Sequence, residues 1–207
     1  MKLNNLMVLG LIMSVGYAGG TTKPALDKPL EIAKVDNKYF INIAGGGAFL
    51  NVDNVLSLNT TFADGALDDS GTVGEVAFGY RYSKNIFTTL AVQRTMLDIA
   101  DIDNIYLSVN YQYADVFAKP YIGALIGYSK LTWSEDPSVI ILNKDLTSEG
   151  ATYGMQAGVE YNLNDDWAIS GKYQFMKYDH TTDIRDGASN IEHTYGQNIL
   201  MGVNYEF

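Results

Sequence analysis

The sequence predicts an all-β fold: an eight-stranded antiparallel up-and-down transmembrane β-barrel with a polar interior and a lipid-facing aromatic girdle. Two independent patterns carry this prediction. Four stretches end alike, Phe78-Gly-Tyr80-Arg-Tyr82, Val109-Asn-Tyr111-Gln-Tyr113, Val159-Glu-Tyr161-Asn-Leu163 and Val203-Asn-Tyr205-Glu-Phe207, with a large apolar or aromatic residue at every second position. Successive side chains of a strand point to opposite faces, so each stretch is a strand with one apolar, aromatic face and one polar face. A soluble sandwich buries its apolar face. Strands that close on tyrosine with polar residues opposite suit a barrel that meets lipid outside and places its aromatics at the interface. The second pattern is an alternation of long and short connections, as in transmembrane barrels with tight turns on one side and long loops on the other.

Taken in chain order, Met1-Lys2-Leu3-Asn4-Asn5 carries a positive charge into an apolar run from Leu6 to about Val15, followed by Gly16-Tyr17-Ala18. This reads as a secretory signal over residues 1–18, cut after Ala18. The run is short for a spanning helix, and Thr21, Thr22 and Lys23 close it. Residues 19–38, with Pro24, Pro29 and mixed charge, read as an exported leader with at most one amphipathic turn from Leu30 to Val35. The barrel occupies 39–207, with strands expected at Tyr39–Val52, Gly71–Ser83, Ile86–Met96, Asn104–Ala114, Pro120–Trp133, Gly150–Leu163, Trp167–His180 and Thr194–Phe207. Connections 53–70, 134–149 and 181–193 are long, Lys84-Asn85, Asp115–Lys119 and Asn164–Asp166 are short, and 97–103 is intermediate. An even strand count returns the C-terminus to the side of the N-terminus and the short turns.

Composition narrows the function classes. No cysteine is present, which removes disulfides, thiolate metal sites and a lipid-bearing cysteine. The net charge is −10, and loss of the signal, with one lysine and no acid, makes it more negative. Such a balance argues against nucleic-acid binding, which calls for a basic stripe.

Alternation places Ile41, Ile43, Val76, Phe78, Leu90, Val92, Leu107, Val109, Ile122, Ile126, Met155, Val159, Ile169, Phe175, Ile199, Met201 and Val203 outward, with a girdle of Tyr80, Tyr82, Tyr111, Tyr113, Tyr161 and Trp167. Asn42, Gly46, Gln93, Ser108, Asn110, Gln112, Gln156, Ser170, Gln174, Asn198 and Asn204 face inward, with the charges Glu75, Arg81, Glu160 and Lys172. Arg94 is the exception, turned outward unless a bulge shifts its strand. Gly45-Gly46-Gly47 leaves the phase of the first strand open.

The four interior charges form an expected ion-pair cluster, with Glu160 opposite Lys172 across the Asn164–Asp166 turn. Polar core packing, a gated conduction path and passage of a small hydrophobic solute all accommodate such a cluster, although eight strands enclose a space that side chains fill. The loop acids Asp53, Asp64, Asp68, Asp69, Asp98, Asp101, Asp103, Glu135, Asp136, Asp145, Asp183, Asp186 and Glu192 read as a solvated surface before a cation site, since no twelve-residue calcium loop is present. His180 and His193 flank the last long connection near Asp183, Ser189 and Glu192, without a recognisable nucleophile motif. No catalytic residue, metal or cofactor is therefore expected.

The terminal Tyr195-Gly-Gln-Asn-Ile199-Leu-Met201-Gly-Val203-Asn-Tyr205-Glu-Phe207 resembles the signal read by the outer-membrane barrel assembly machinery, carried by Tyr195, Val203, Tyr205 and Phe207. From about Tyr39 to Phe207 the chain resembles the small eight-stranded outer-membrane barrels, similar to the OmpA transmembrane domain and to OmpX. The resemblance implies a Gram-negative outer membrane, both termini in the periplasm, and lipid and lipopolysaccharide around the barrel. It also implies an interior charge cluster like that of OmpA. A non-enzymatic role in membrane integrity, or in contact with an unidentified surface ligand through the external loops, follows from it. A narrow channel is the alternative and a lipid A-modifying enzyme a lower one. No peptidoglycan-binding domain follows Phe207, so cell-wall anchoring is not expected.

Overall fold

The computed structural model describes residues 38–52, 55–57, 67–98, 100–133, 147–184 and 189–207. The expected signal over 1–18 and nearly all of the leader lie outside them. The strands are β1 (Lys38–Val52), β2 (Val55–Ser57), β3 (Leu67–Arg81), β4 (Ile86–Leu97), β5 (Ala100–Gln112), β6 (Ala118–Trp133), β7 (Thr147–Asn162), β8 (Trp167–Ile184) and β9 (Ser189–Glu206). Each long strand pairs antiparallel with the next, and β1 pairs with both β3 and β9, so β1 and β3–β9 close into an eight-stranded barrel. Closure leaves no long sheet edge to seek a partner. The short β2 adds to the loop end of β9, through Val55↔Ile191 to Ser57↔Ser189.

Several strands run further towards the loop end than the sequence suggests. The intermediate connection 97–103 reduces to the two residues between Leu97 and Ala100, and the long connection 181–193 to the four between Ile184 and Ser189. The reason is visible in β5. Asp101 and Asp103, which read as loop, face outward while Ala100 and Ile102 are buried inside. Further along the same strand Ile105, Leu107 and Val109 are outward and Asn104, Ser108 and Asn110 are buried inside. The period of two continues unbroken while its polarity inverts, because the hydrogen-bond ladder needs extended backbone and is indifferent to what lies on each face.

Strand β1 settles into the phase that buries Phe40, Asn42, Ala44, Ala48 and Leu50. Its glycines permit a close seam: a Cβ on Gly46 would stand 1.8 Å from the Ile199 carbonyl oxygen of β9. Gly79 leaves room for the Phe40 ring, which a Cβ would meet at 2.0 Å. The register around Arg94 is continuous, Gly74↔Arg94 and Arg94↔Asp103, so Arg94 faces outward with no bulge. It is held there by Asp101 at 2.7 Å and Asp103 at 3.8 Å. A register shift lies instead in β8, between Lys177 and His180, towards the barrel rim where bulges are common.

The lumen consequently has two tiers. At the loop end Leu50, Leu97, Ile102, Leu131 and Tyr178 belong to one apolar cluster with Val73, Met176 and Leu200. Towards the short turns the wall carries buried Glu75, Gln93, Asn104, Ser108, Asn110, Gln112, Gln156, Glu160, Gln174, Asn198 and Asn204. The expected polar interior describes the second tier; the first is mainly apolar, with Thr95, Ser129, Ser148 and His180 buried among its hydrocarbon side chains.

Candidate functional site: the polar tier of the lumen

The polar tier is built from inward positions of every barrel strand, so its side chains meet across the lumen as well as along the wall. Arg81 sits at the end of β3 and joins four alternate strands. Its Nη2 donates to both carboxylate oxygens of Glu160 on β7, at 2.8 and 2.7 Å, and its Nη1 to Gln112 Oε1 on β5 at 2.9 Å. Its Nε donates to Glu206 Oε1 on β9 at 2.6 Å. The guanidinium also lies over the rings of Phe40 and Phe87, 4.9 and 5.1 Å from their centroids. This fork geometry matches a carboxylate as a lysine ammonium would not. Asn204 donates a further bond to Glu160 at 2.6 Å, which spreads the charge.

Glu75 and Lys172 form the second ion pair. Glu75 is fully buried and is satisfied from three sides, by Lys172, by the Tyr106 hydroxyl at 2.5 Å and by Gln93 Nε2 at 3.1 Å. From there a chain of bonds runs through Gln93, Gln174, Gln156, Asn110 and Ser108 to Thr89. Buried charges need such partners, since leaving one unpaired costs about 3–5 kcal/mol. Between the two ion pairs lies a cavity of about 30 Å³, lined by Asn42, Glu75, Glu160, Ser170, Lys172 and Asn204 among others. It has room for one or two waters.

The structure thus brings Glu75, Arg81, Glu160 and Lys172 into one tier but pairs them differently from the expectation. Glu160 stands opposite Ser170, and Lys172 opposite Gly158. Reading neighbours across a turn considers adjacent strands alone, whereas long side chains in a narrow barrel reach across it. Tyr106 and Glu206 were not expected here. Both fall on inward phase, Tyr106 between Asn104 and Ser108 and Glu206 two beyond Asn204, so alternation carried the signal.

On the outer surface the girdle residues Tyr82, Tyr111, Tyr113 and Trp167 are about half exposed, with Tyr80 and Tyr161 partly covered. Tyr39 and Phe117 join them, with ring centroids 4.9 Å for Tyr39–Tyr80 and 4.5 Å for Phe117–Tyr161. At the opposite boundary Phe175, already outward by alternation, joins Tyr128, Tyr153 and Phe49 in an outward row that no repeated motif marks. Above it, Arg94, Asp103, Lys130 and Glu149 are successive cross-strand partners. At the short-turn end, outside the spanning strands, Lys84 donates to Asp115 at 2.9 Å, and that bond raises its ammonium above the usual lysine value.

Val203 and Tyr205 pair in register with Ile43 and Ile41, and Phe207 exchanges backbone bonds with Tyr39 at 2.9 and 3.3 Å. Tyr195 stacks on Phe175 at 5.7 Å. His180 is buried in the lumen wall with Nε2 2.7 Å from Ser129 Oγ, and its backbone stands opposite His193. Of the loop acids, Asp53, Asp64, Glu135, Asp136, Asp145 and Asp186 lie outside the described residues, while Asp68, Asp69, Asp183 and Glu192 fall on strand backbone.

With this geometry in hand, the chain can be set beside known proteins. The family model described as outer membrane protein beta-barrel domain matches residues 10–207. Among solved structures the chain is similar to Neisserial surface protein A, with a TM-score of 0.61 at 15% identity over 82% of this chain and 97% of that one. It is similar to OprG from Pseudomonas aeruginosa, TM-score 0.53 at 17% identity over 81% and 95%. A third likeness is to the outer membrane protein AlkL, solved in lipid bilayers, TM-score 0.51 at 16% identity over 91% and 97%. At these identities the likeness concerns the fold alone. No curated protein matches the sequence.

Proposed function

This chain belongs to the outer membrane protein β-barrel domain family, and from that premise we propose that it is a closed, non-enzymatic barrel that serves membrane integrity or surface interaction through its outer loops. The observation that supports this reading is the filled lumen: its wall side chains bond to one another across the barrel, and the cavity among them measures about 30 Å³. Eight strands leave little more than the space side chains occupy. What remains free to meet a partner is the outer surface and the loop end, where function in rigid scaffolds tends to concentrate.

In this reading the signal over 1–18 is removed after Ala18 and residues 19–38 stay in the periplasm with both barrel termini. The outward tyrosines and Trp167 anchor the barrel at the periplasmic interface, in contact with outer-membrane lipid, while lipopolysaccharide surrounds the loop half. Tyr195, Val203, Tyr205 and Phe207 form the signal for the assembly machinery. Deleting Phe207 should slow insertion, measured as the rate at which the heat-modifiable form appears in the outer membrane; a normal rate would withdraw that assignment.

A narrow channel is the second reading, favoured by the polar cavity beside the two ion pairs. Outer-leaflet lipid chemistry through His180 draws less support, since that ring is buried inside the wall against Ser129. Planar-bilayer conductance of the refolded protein, with gel migration of the same sample with and without boiling, separates the first two. A shifted, folded band with a silent bilayer supports the closed barrel, and discrete reproducible openings support the channel.

A further inference from the structure

The lumen is blocked in two places by two kinds of chemistry, and only one of them makes a barrier to ions. We propose that the permeation barrier is the apolar tier at the loop end, formed by Leu50, Leu97, Ile102, Leu131, Met176 and Tyr178, and that the ion pairs beneath it do not gate. The inference rests on the closed-barrel reading and assigns the closure to particular residues.

These six residues come from β1, β4, β5, β6 and β8, so they ring the lumen rather than line one wall. All are buried, with Leu131 and Met176 at 0% and Ile102 at 1% relative exposure. Ser129 and His180 point into the same tier but bond to each other. The polar network climbs from Glu75 to Gln93, and from there to Asn104 and Asn198, where it gives way to the apolar side chains. The described cavity lies on the polar side of that boundary.

An ion leaving the polar tier towards the loops would have to shed its hydration where hydrocarbon side chains predominate and polar atoms are few: the Tyr178 hydroxyl against Met176 Sδ, the Ser129–His180 pair, buried Ser148, Thr95 Oγ1 and His180 Nδ1. Such a constriction closes by excluding water, with no need for charge. Within the polar tier the situation is the reverse. Carboxylates, amides and hydroxyls can each exchange a bond to a neighbour for a bond to water, so breaking one ion pair there opens no continuous path. The local gain is a slightly larger wet pocket that still ends against Leu131 and Ile102.

Two variants decide between the tiers, Leu131→Ser with Ile102→Ser in the apolar tier and Lys172→Met with Glu75→Gln in the polar tier. Each is refolded as the full mature chain and checked by heat-modifiable migration before bilayer recording. The apolar-tier variant should conduct in discrete steps, and the polar-tier variant should remain as silent as the parent. Because the chain has no cysteine, Ser108→Cys added to each background gives a second readout with a small cationic thiol reagent applied from the loop side. Labelling should rise roughly tenfold or more in the apolar-tier background alone, as expected when a dewetted constriction is wetted. Openings confined to the polar-tier variant would overturn the assignment in favour of a charge gate. A folded apolar-tier variant that neither conducts nor labels faster would also overturn it. Discrete openings of the unmodified protein would instead refute the closed-barrel reading itself.

Discussion

The two ends of β5 obey opposite solvent rules. Towards the short turns the barrel is apolar outside and polar inside, as in β5, where Ile105, Leu107 and Val109 meet lipid over Asn104, Ser108 and Asn110. Towards the loops the same strand is polar outside and apolar inside, with Asp101 and Asp103 over Ala100 and Ile102. The first half is stabilised by satisfied polar contacts in a space that lipid cannot enter, the second by hydrophobic burial of the kind found in soluble proteins. The change of sign therefore marks where the hydrocarbon ends. Outward Arg94, Asp103, Lys130 and Glu149 stand at that level on four consecutive strands, where charges are tolerable and can pair.

This contrast predicts different responses to mutation in the two halves. The largest effect belongs to Arg81→Met, which leaves buried Glu160 without its cation while Glu206 keeps Lys38 at 3.6 Å; a loss of about 3–5 kcal/mol is expected from a broken buried pair, read from urea-dependent folding into bilayers. In the apolar tier Leu131→Ala should cost about 3 kcal/mol, the range for an aliphatic side chain removed from a packed core. A loss well below that would mean that the tier is loosely packed.

The boundary is tested by moving one charge along one strand. Leu90→Arg places a cation in the lipid-facing band of β4 and should destabilise by about 2–4 kcal/mol, whereas Met96→Arg, further along the same strand and opposite Asp101, should cost about 1 kcal/mol or less. Equal costs would erase the boundary drawn here. The smallest effect is expected from Lys172→Met combined with Glu75→Gln. Removing both charges leaves Tyr106 and Gln93 bonded to the new amide, so the double variant should fall within about 1 kcal/mol of the parent, although each single change costs more.

The turn half was the more legible in sequence. Its polarity follows the membrane rule, so the motifs ending at Tyr80-Arg-Tyr82 and Tyr111-Gln-Tyr113 gave both strand and face. The loop half reads like soluble β-structure, and the aspartates of Ala100-Asp-Ile-Asp resemble turn residues because their outward polarity reverses the lipid-facing pattern. Membership of the interior cluster followed from alternation for Glu75, Arg81, Glu160 and Lys172. Who pairs with whom did not, since Arg81 reaches β5, β7 and β9 through space that no register describes. Glu206 lies between Tyr205 and Phe207, whose aromatic pattern dominates the signal at the chain end.

The most direct test of the two-tier lumen is water-edited solid-state NMR of the protein in lipid bilayers, which reports which side chains contact water. Early transfer to the side chains around the ion-pair cavity, Lys172 among them, with none to the methyl groups of Leu131, Ile102 and Leu97, is the predicted result. Transfer to those methyl groups as fast as to the cavity side chains would contradict a dry tier and, with it, the closure of the barrel.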